Sequence, residues 1–365
     1  MPERHGTKPA TLADVAAAVS LSPAAVSLAL RGKVGVSEAT RTRVFDAAKT
    51  LGYRPIAGVS RQHQKQMTIG LVIKAVYGDA PEANRFYAPV LAGIEESCRA
   101  HRMNLMLATM PVDEHYYPME VPRIVTDRTC YGLIVVGAHL SRATAELLRH
   151  APPSVLVDAY SDDDAFAFDS IATDNIGGAR TAIGHLVSKG HRNIAILATE
   201  PQTFPSILQR RRGYKQVLSE AGLARHYIDA PYWPPESAAV VGVAYLQAHP
   251  EITAVFCAND AVAISLIQAA TQAGIAVPDQ LSVIGFDDID LAGFVSPALT
   301  TMAVDKVGMG RMAVTLLSHR LEVGKECVTQ TLVRPTLMER DTVRTLEPLA
   351  RSETAPELHL DPQPA

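Results

Sequence analysis

From Met67 onward the chain repeats one unit, a short apolar run followed by a stretch of helical period, and this repetition narrows the possible folds sharply. The runs are Ile69–Ile73, Leu105–Ala108, Gly132–Val136, Val155–Val157, Ile194–Leu197, Ala254–Cys257 and Ser282–Gly285. They do not alternate apolar with polar residues, so each reads as a strand covered on both faces, as in a parallel sheet. Between them lie helical stretches: Val90–Arg102, Gly177–Lys189 ending at Gly190, and Gln209–Glu220 ending near Gly222. Strands that alternate with helices in this way predict an α/β fold with doubly wound parallel sheets. Ligands of such sheets sit at the carboxyl ends of the strands.

The first 55 residues follow a different pattern. Thr11-Leu12-Ala13-Asp14 has the form that opens a helix with a capping box. Leu12, Val15, Ala16 and Val19 then recur on one helical face. Ser20-Leu21 interrupts it. Ser22 is a good cap, and Pro23 suits a first helical position, where no N–H bond is lost. Val26 and Leu30 share one face of this second helix. Ser37 caps a third, with Val44, Ala48 and Leu51 as its apolar face and Gly52 placed to end it. Two helices joined by a three- or four-residue turn predict a helix-turn-helix, whose second helix enters the major groove.

Charge is divided in the same way. The whole chain of 365 residues carries -4, but residues 1–65 hold 10 Lys and Arg against 4 Asp and Glu, or +6, leaving -10 for the rest. A basic head on an acidic body points to a polyanionic partner for the head alone. The length suits two or three domains, and a 47% hydrophobic composition suits a sizeable core. Cys98, Cys130, Cys257 and Cys327 are scattered, with neither a zinc pattern nor a disulfide framework, so reduced thiols are expected. Met1–Ala10 is polar, and no apolar run reaches the ~18 residues of a membrane span. The expected setting is the cytoplasm, with no leader and no membrane partner.

The residues of the head carry a resemblance. Thr11-Leu-Ala-Asp-Val-Ala, Val26-Ser-Leu-Ala-Leu-Arg-Gly32, Val36-Ser37, Thr40-Arg41 and Leu51-Gly-Tyr53-x-Pro55 stand in one nearly gapless order. This stretch resembles the headpiece of the LacI/GalR repressor family. The resemblance implies that Thr11, Ser22, Ser27, Ser37 and Tyr53 lie near phosphates and that Pro23, Ala24 and Leu28 face bases, with Ala25 and Arg31 completing the DNA-contacting set. Family members usually carry polar or charged side chains at the base-facing positions, often Arg where Leu28 stands. Arg reads guanine bidentately, whereas Pro, Ala and Leu offer only apolar contact to thymine methyls. Further specificity is then expected from Arg31, DNA shape or half-site spacing.

After Pro55 the family usually has a hinge helix whose leucine wedges into the minor groove. Here the linker reads Ile56-Ala-Gly-Val-Ser-Arg-Gln-His-Gln-Lys65, with Gln62 in the leucine's place and a helix-weakening Gly58. A DNA-contacting hinge over 56–66 and a flexible tether both remain open.

The body is similar to the periplasmic-binding-protein-like core of the same family. The carriers are Asp174 to Leu186, Gly190-His-Arg-x-Ile194, Arg210-x-x-Gly213-Tyr214, Cys257-Ala-Asn-Asp260, Val283-Ile-Gly-Phe-Asp-Asp288 and Pro297-x-Leu-Thr-Thr301. With the head, the resemblance covers about residues 10–340. It implies a two-lobed core over 67–343, with 67–173 plus 304–327 in one lobe and 174–303 plus 328–343 in the other. Arg210 matches the family arginine that forks to a ligand. Asn259 and Asp287 fall at strand ends, Asp158 ends the strand Val155–Val157, and Ser206 lies one turn before Arg210. Trp233, the only tryptophan, falls where a sugar-binding member stacks one on its ligand. Asp158, Ser206, Arg210, Trp233, Asn259 and Asp287 together suit a polyhydroxylated effector such as a sugar. Asp174, Asp260 and Asp288 read as helix caps or loop braces. Met110–Arg128, with Pro111, Pro118 and Pro122, departs from the usual family helix, so Phe86 and Tyr87 are not carried over.

No chemistry beyond binding emerges. Gly308-Met-Gly-Arg-Met-Ala313 has the form of a dinucleotide fingerprint but lacks the acidic residue about 20 positions on. Walker, HExxH and GxSxG motifs are missing, the histidines show no ligand spacing, and neither an enzyme, a metal nor a cofactor is expected. The expectation is a sequence-specific transcriptional regulator, a repressor acting as a homodimer on operator DNA and controlled by a small-molecule effector. One headpiece contacts too few bases to select an operator alone. A solute-binding protein with an incidental helical extension is the alternative, and the basic head argues against it. The tail, 344–365, contains prolines but no leucine heptad, and reads as disordered.

Overall fold

The computed structural model describes residues 10–30, 36–51, 53, 67–76, 85–113, 115–161, 167–324 and 327–346. Arg31, Gly52, the linker expected over 56–66, and the chain before Ala10 and beyond Leu346 lie outside the described residues. Two compact units are present, Met1–Gln66 and Met67–Ala365.

The first unit holds three helices, α1 (Leu12–Val19), α2 (Pro23–Leu30) and α3 (Glu38–Thr50). Each starts where its cap dictates. Thr11 Oγ1 accepts from the Asp14 amide at 3.3 Å while Asp14 Oδ2 accepts from the Thr11 amide at 2.7 Å, a reciprocal capping box. Ser22 Oγ accepts from the Ala25 amide at 3.2 Å, and Ser37 Oγ from the Thr40 amide at 3.3 Å. Ser20 ends α1 in the left-handed region, at φ 54°, and turns the chain so that α1 and α2 meet at 100°. Val15, Ala16, Val19, Val26, Ala29, Val44 and Ala48 make the core. Leu51, expected on the buried face of α3, is instead 41% exposed. The helix ends at Thr50, so Leu51 leaves the helical stripe, and Tyr53 packs against the core in its place.

In the second unit the first lobe opens with β1 (Thr68–Val76), α4 (Tyr87–Ala100), β2 (Asn104–Val112), α5 (Arg123–Thr126), β3 (Gly132–Val136), β4 (His139–Leu140), α6 (Arg142–His150), β5 (Ser154–Val157), β6 (Tyr160–Ser161) and β7 (Asp169–Thr173). The second lobe follows with α7 (Asn175–Ser188), β8 (Ile194–Leu197), α8 (Pro205–Glu220), β9 (His226–Ile228), α9 (Pro235–Ala248), β10 (Ala254–Cys257), α10 (Asp260–Gln272), β11 (Ser282–Ile284) and β12 (Thr301–Ala303). The chain then returns through α11 (Lys306–Val323), β13 (Gln330–Val333) and β14 (Thr336–Met338). One sheet has the order β13-β7-β5-β3-β1-β2 and the other β11-β10-β8-β9, and every pairing in both is parallel.

The apolar runs all fall in strands, but they are not equally covered. β3, β8 and β10 are buried at every position. β2 is a sheet edge, and Met106 and Leu107 are 44% and 58% exposed. The lobe boundary also differs from expectation. Gln330–Val333, assigned by resemblance to the second lobe, pairs with β7 and closes the first sheet, and only β14 rejoins the second lobe, against β12. The chain thus passes between lobes before α7, after β12 and between β13 and β14.

Gly308-Met-Gly-Arg-Met-Ala313 lies inside α11, which follows β12, with Gly308 against the capping Asp305 carboxylate and Gly310 serving packing. A Cβ on Gly310 would stand 2.2 Å from the Val90 carbonyl, and one on Gly93 2.2 Å from the Val307 carbonyl, so α4 and α11 touch backbone to backbone. Among the described residues no single helix is long and apolar enough to cross a membrane, and no cluster of His, Cys, Asp and Glu could hold a metal ion.

Candidate functional site

A cavity of about 80 Å³ lies between the lobes of the second unit, at the carboxyl ends of the strands. The first lobe contributes Lys74 from β1, Phe86 and Tyr87 at the start of α4, and Asp158 just after β5. The second contributes Phe204, Ser206, Ile207 and Arg210 from the start of α8, Tyr232 before α9, Asn259 at the cap of α10 and Asp287 after β11.

Arg210 is the most constrained of these. Nε donates to Asn175 Oδ1 at 3.0 Å, Nη1 to the Ala258 carbonyl at 2.6 Å and Nη2 to Asp287 Oδ1 at 3.0 Å, while the guanidinium stacks 3.8 Å from the Phe286 ring. Asn175 is held in turn by donating to the Thr173 carbonyl and Gln209 Oε1, both at 3.1 Å. Asp287 sits at φ 111°, and the Lys306 ammonium donates to the Asp287 and Asp288 carbonyls, which pins this strained turn. Burial raises the Asp287 carboxyl above its ordinary range, against the pull of Arg210 and Lys306. Asn259 Oδ1 accepts from the Val262 amide at 2.9 Å, capping α10 and leaving its amide N–H groups as donors.

Across the cavity Asp158 accepts from Tyr87 Oη at 2.7 Å and from Tyr160 Oη at 3.2 Å. Burial raises its carboxyl too, partly offset by the Tyr87 bond and by Lys74. The Lys74 ammonium lies 4.0 Å from the centre of the Phe204 ring, 5.1 Å from Tyr116 and 5.2 Å from Tyr87, an aromatic cage with cation–π geometry. Burial lowers its pKa to about 8, with Asp158 opposing the shift. Tyr116 enters the cage from the segment that departs from the family helix. There Asp113 Oδ1 accepts from the His115 and Tyr117 amides at 2.9 Å and turns the chain, and the Tyr116 ring stacks on Tyr232 at 5.5 Å.

The first unit offers a separate surface. On α2, Ser22, Pro23, Ala24 and Leu28 are exposed while Val26 and Ala29 are buried. A helix whose buried side is anchored to two others and whose N-terminal half stands free has the form of a recognition helix.

Residues 11–55 match the family model described as bacterial regulatory proteins, lacI family, and residues 183–343 match a periplasmic binding protein-like domain. The ribose operon repressor of Haemophilus influenzae is 31% identical over 346 residues, which cover 93% of this chain and 100% of that protein. This chain belongs to the lacI family of bacterial regulatory proteins. The transcriptional repressor CytR of Escherichia coli K12 is a further relative, 30% identical over 317 residues, 86% of this chain and 90% of that one. Among solved structures, a complex of the transcriptional regulator CelR with cellobiose has a TM-score of 0.65 at 25% identity, covering 91% of this chain and 99% of that one. The lac repressor dimer bound to operator and an anti-inducer has a TM-score of 0.63 at 23% identity, covering 92% and 100%. As a lacI-family protein the chain is a DNA-binding transcriptional regulator, and a solute receptor without a DNA-binding role is set aside.

Within this lacI-family core, the cavity gathers five of the six residues singled out for the effector: Asp158, Ser206, Arg210, Asn259 and Asp287. Trp233 is not among its lining residues and is 48% exposed. Its neighbour Tyr232 takes the inner position by stacking on Tyr116, which turns Trp233 outward. Asp174 caps α7 by accepting from the Gly177 amide at 2.8 Å, and Asp260 braces the loop after β11 by accepting from the Ile289 amide at 2.8 Å. Asp288 pairs with Arg340 at 2.8 Å. Phe86 and Tyr87, not carried over from the resemblance, do line the cavity, and Lys74, Phe204, Ile207 and Tyr232 were not anticipated. Lys74 did leave a signal, being the one charged residue inside an otherwise apolar strand.

In the head, Thr11 and Ser37 are exposed, while Ala25, Ser27 and Tyr53 are half-buried.

Proposed function

We propose that this regulator binds operator DNA as a homodimer in the cytoplasm, represses transcription, and exchanges that affinity for a small effector held between the lobes of its core. The observation that carries the reading is the cavity: two lobes of one chain place Asp158, Arg210, Asn259 and Asp287 around a common space, in a chain that also carries a helix-turn-helix. Such a set of donors and acceptors suits a polyhydroxylated ligand. The CelR–cellobiose complex and the lac repressor dimer on its operator support the same combination in relatives of this fold. Nothing in the lining forms a nucleophile–base pair, and we read the site as one that binds rather than one that catalyses.

Coupling follows from volume. About 80 Å³ is less than ligand clefts usually hold, so admitting an effector requires the lobes to part. A ligand that prefers one lobe arrangement shifts the population toward it, and DNA affinity changes by the ratio of its affinities for the two arrangements. At the DNA, Thr11, Ser22, Ser27, Ser37 and Tyr53 serve the phosphates, and Pro23, Ala24, Ala25 and Leu28 serve the bases together with Arg31. A thermal-shift screen of the full chain against sugars and related metabolites, followed by a gel shift on its own promoter region with and without each hit, tests the reading. Hits that alter the shifted fraction support it, whereas protein that ignores its promoter DNA with and without every hit contradicts it.

A further inference from the structure

We infer that the effector carries an anionic group, a phosphate or a carboxylate, and that Lys74 and Ser206 bind it at the start of α8. The inference rests on reading the cavity as the effector site. Lys74 is only 8% exposed, yet its ammonium makes no hydrogen bond or ion pair with any described residue. The rings of Phe204, Tyr116 and Tyr87 stabilise its charge but accept no conventional hydrogen bond, so its donors stay available to the cavity it lines. A buried cation in that condition is costly unless something pairs with it. Ser206, 5% exposed, lines the same cavity, and its hydroxyl likewise has no partner among the described residues. It sits in the first turn of α8, a helix of 16 residues whose N-cap, Phe204, supplies no side-chain hydrogen bond, so the positive end of the helix faces the same place.

The partners of the other charged groups agree. Asp287 is paired with Arg210, and Lys306 is committed to backbone carbonyls at the same turn. Asp158 has both oxygens occupied by phenol hydroxyls. Of the four charged residues that line the cavity, Lys74 alone has no hydrogen-bonded partner among the described residues. A neutral polyol would leave that ammonium without an anionic partner, whereas a sugar phosphate or sugar acid supplies one.

The test measures thermal stability and affinity of the full chain with inorganic phosphate, sulfate and matched pairs: ribose with ribose 5-phosphate, and glucose with glucose 6-phosphate and gluconate. Phosphate or sulfate is expected to raise the melting temperature of the parent above chloride at equal ionic strength, and Lys74→Met to abolish the rise. Within whichever pair binds, the anionic member should bind about tenfold tighter or better, with Lys74→Met removing the difference and Lys74→Arg retaining part of it. Should Lys74→Met not fold, Ser206→Ala must weaken the anion and spare the neutral member. The phosphate and gluconate arms tell the two anions apart. A neutral sugar that binds as tightly as its anionic partner, in the parent and in Lys74→Met, overturns the anion assignment and leaves the effector reading intact. Phosphate or sulfate that stabilises the parent and Lys74→Met equally overturns it as well.

Discussion

Arg210 and Asp287, 77 residues apart in sequence, meet at 3.0 Å with side chains 5% and 10% exposed. Both side chains are largely withdrawn from bulk solvent. Removing Arg210 strands a buried carboxylate and the Ala258 carbonyl together, so Arg210→Ala is expected to lower unfolding free energy by about 3–5 kcal/mol. An apolar double replacement, Arg210→Met with Asp287→Leu, should recover much of that loss while abolishing effector binding. Urea denaturation separates the two: a double variant no more stable than Arg210→Ala contradicts the pairing argument.

At Gly93 and Gly310, α4 and α11 pack backbone against backbone. Because a Cβ on Gly310 would press on the Val90 carbonyl at 2.2 Å and the Ile94 amide at 2.8 Å, Gly310→Ala should cost about 1–3 kcal/mol by forcing the helices apart. A melting temperature equal to that of the parent would show that the crossing is looser than described.

The second helix of the head presents Leu28, 39% exposed, where an arginine would read guanine. Leu28→Arg should therefore move operator preference toward G·C at one position of each half-site, by about 1–3 kcal/mol of discrimination. Selection from a random duplex library checks it, and identical consensus sites for the two proteins are the adverse result.

Lys74 gives the folded chain a particular pH response. Its pKa falls from 10.5 to about 8 on burial. Between about pH 8 and 10.5 the unfolded chain keeps a proton there that the folded chain has released, so stability contributed by this group rises with pH across that window and is lost as pH falls through about 8. Relative to Lys74→Met, the parent should gain up to about 3 kcal/mol over that range. Denaturation midpoints of both proteins measure the difference, and a difference flat with pH contradicts the burial of a free amine.

How much of this could be read from the sequence depended on whether the signal was local. Caps at Thr11, Ser22 and Ser37 and the runs buried on both faces belong to contiguous residues, and each produced the element expected. Strand β7, Asp169–Thr173, is mixed in polarity because Asp169 is buried against Arg320 at 2.5 Å, so an apolar-run criterion passes over it. β13 alternates exposed and half-buried residues at a sheet edge, and only its pairing with β7 reveals which lobe it closes. The cavity shows the same division. Arg210 in α8, and Asn259 and Asp287 just past strand ends, lie in recognisable motifs. The cage around Lys74 draws Tyr87 from the start of α4, Tyr116 from the loop after β2 and Phe204 from the cap of α8, and no spacing along the chain predicts that they converge. Trp233 shows the converse: a conspicuous residue type in the right loop, displaced by the stacking of Tyr232 on Tyr116.

The central claim is that the cavity and the DNA-binding helices report to one another. Fluorescence anisotropy of a labelled operator, titrated with the full chain in fixed salt, tests it with and without the compound that most raises the melting temperature. We expect saturating compound to change the operator Kd by about 5- to 150-fold, and Asp158→Asn to keep the compound-free Kd while losing most of that change. An operator Kd that stays the same at saturating compound, for a compound whose binding depends on Asp158, contradicts the account.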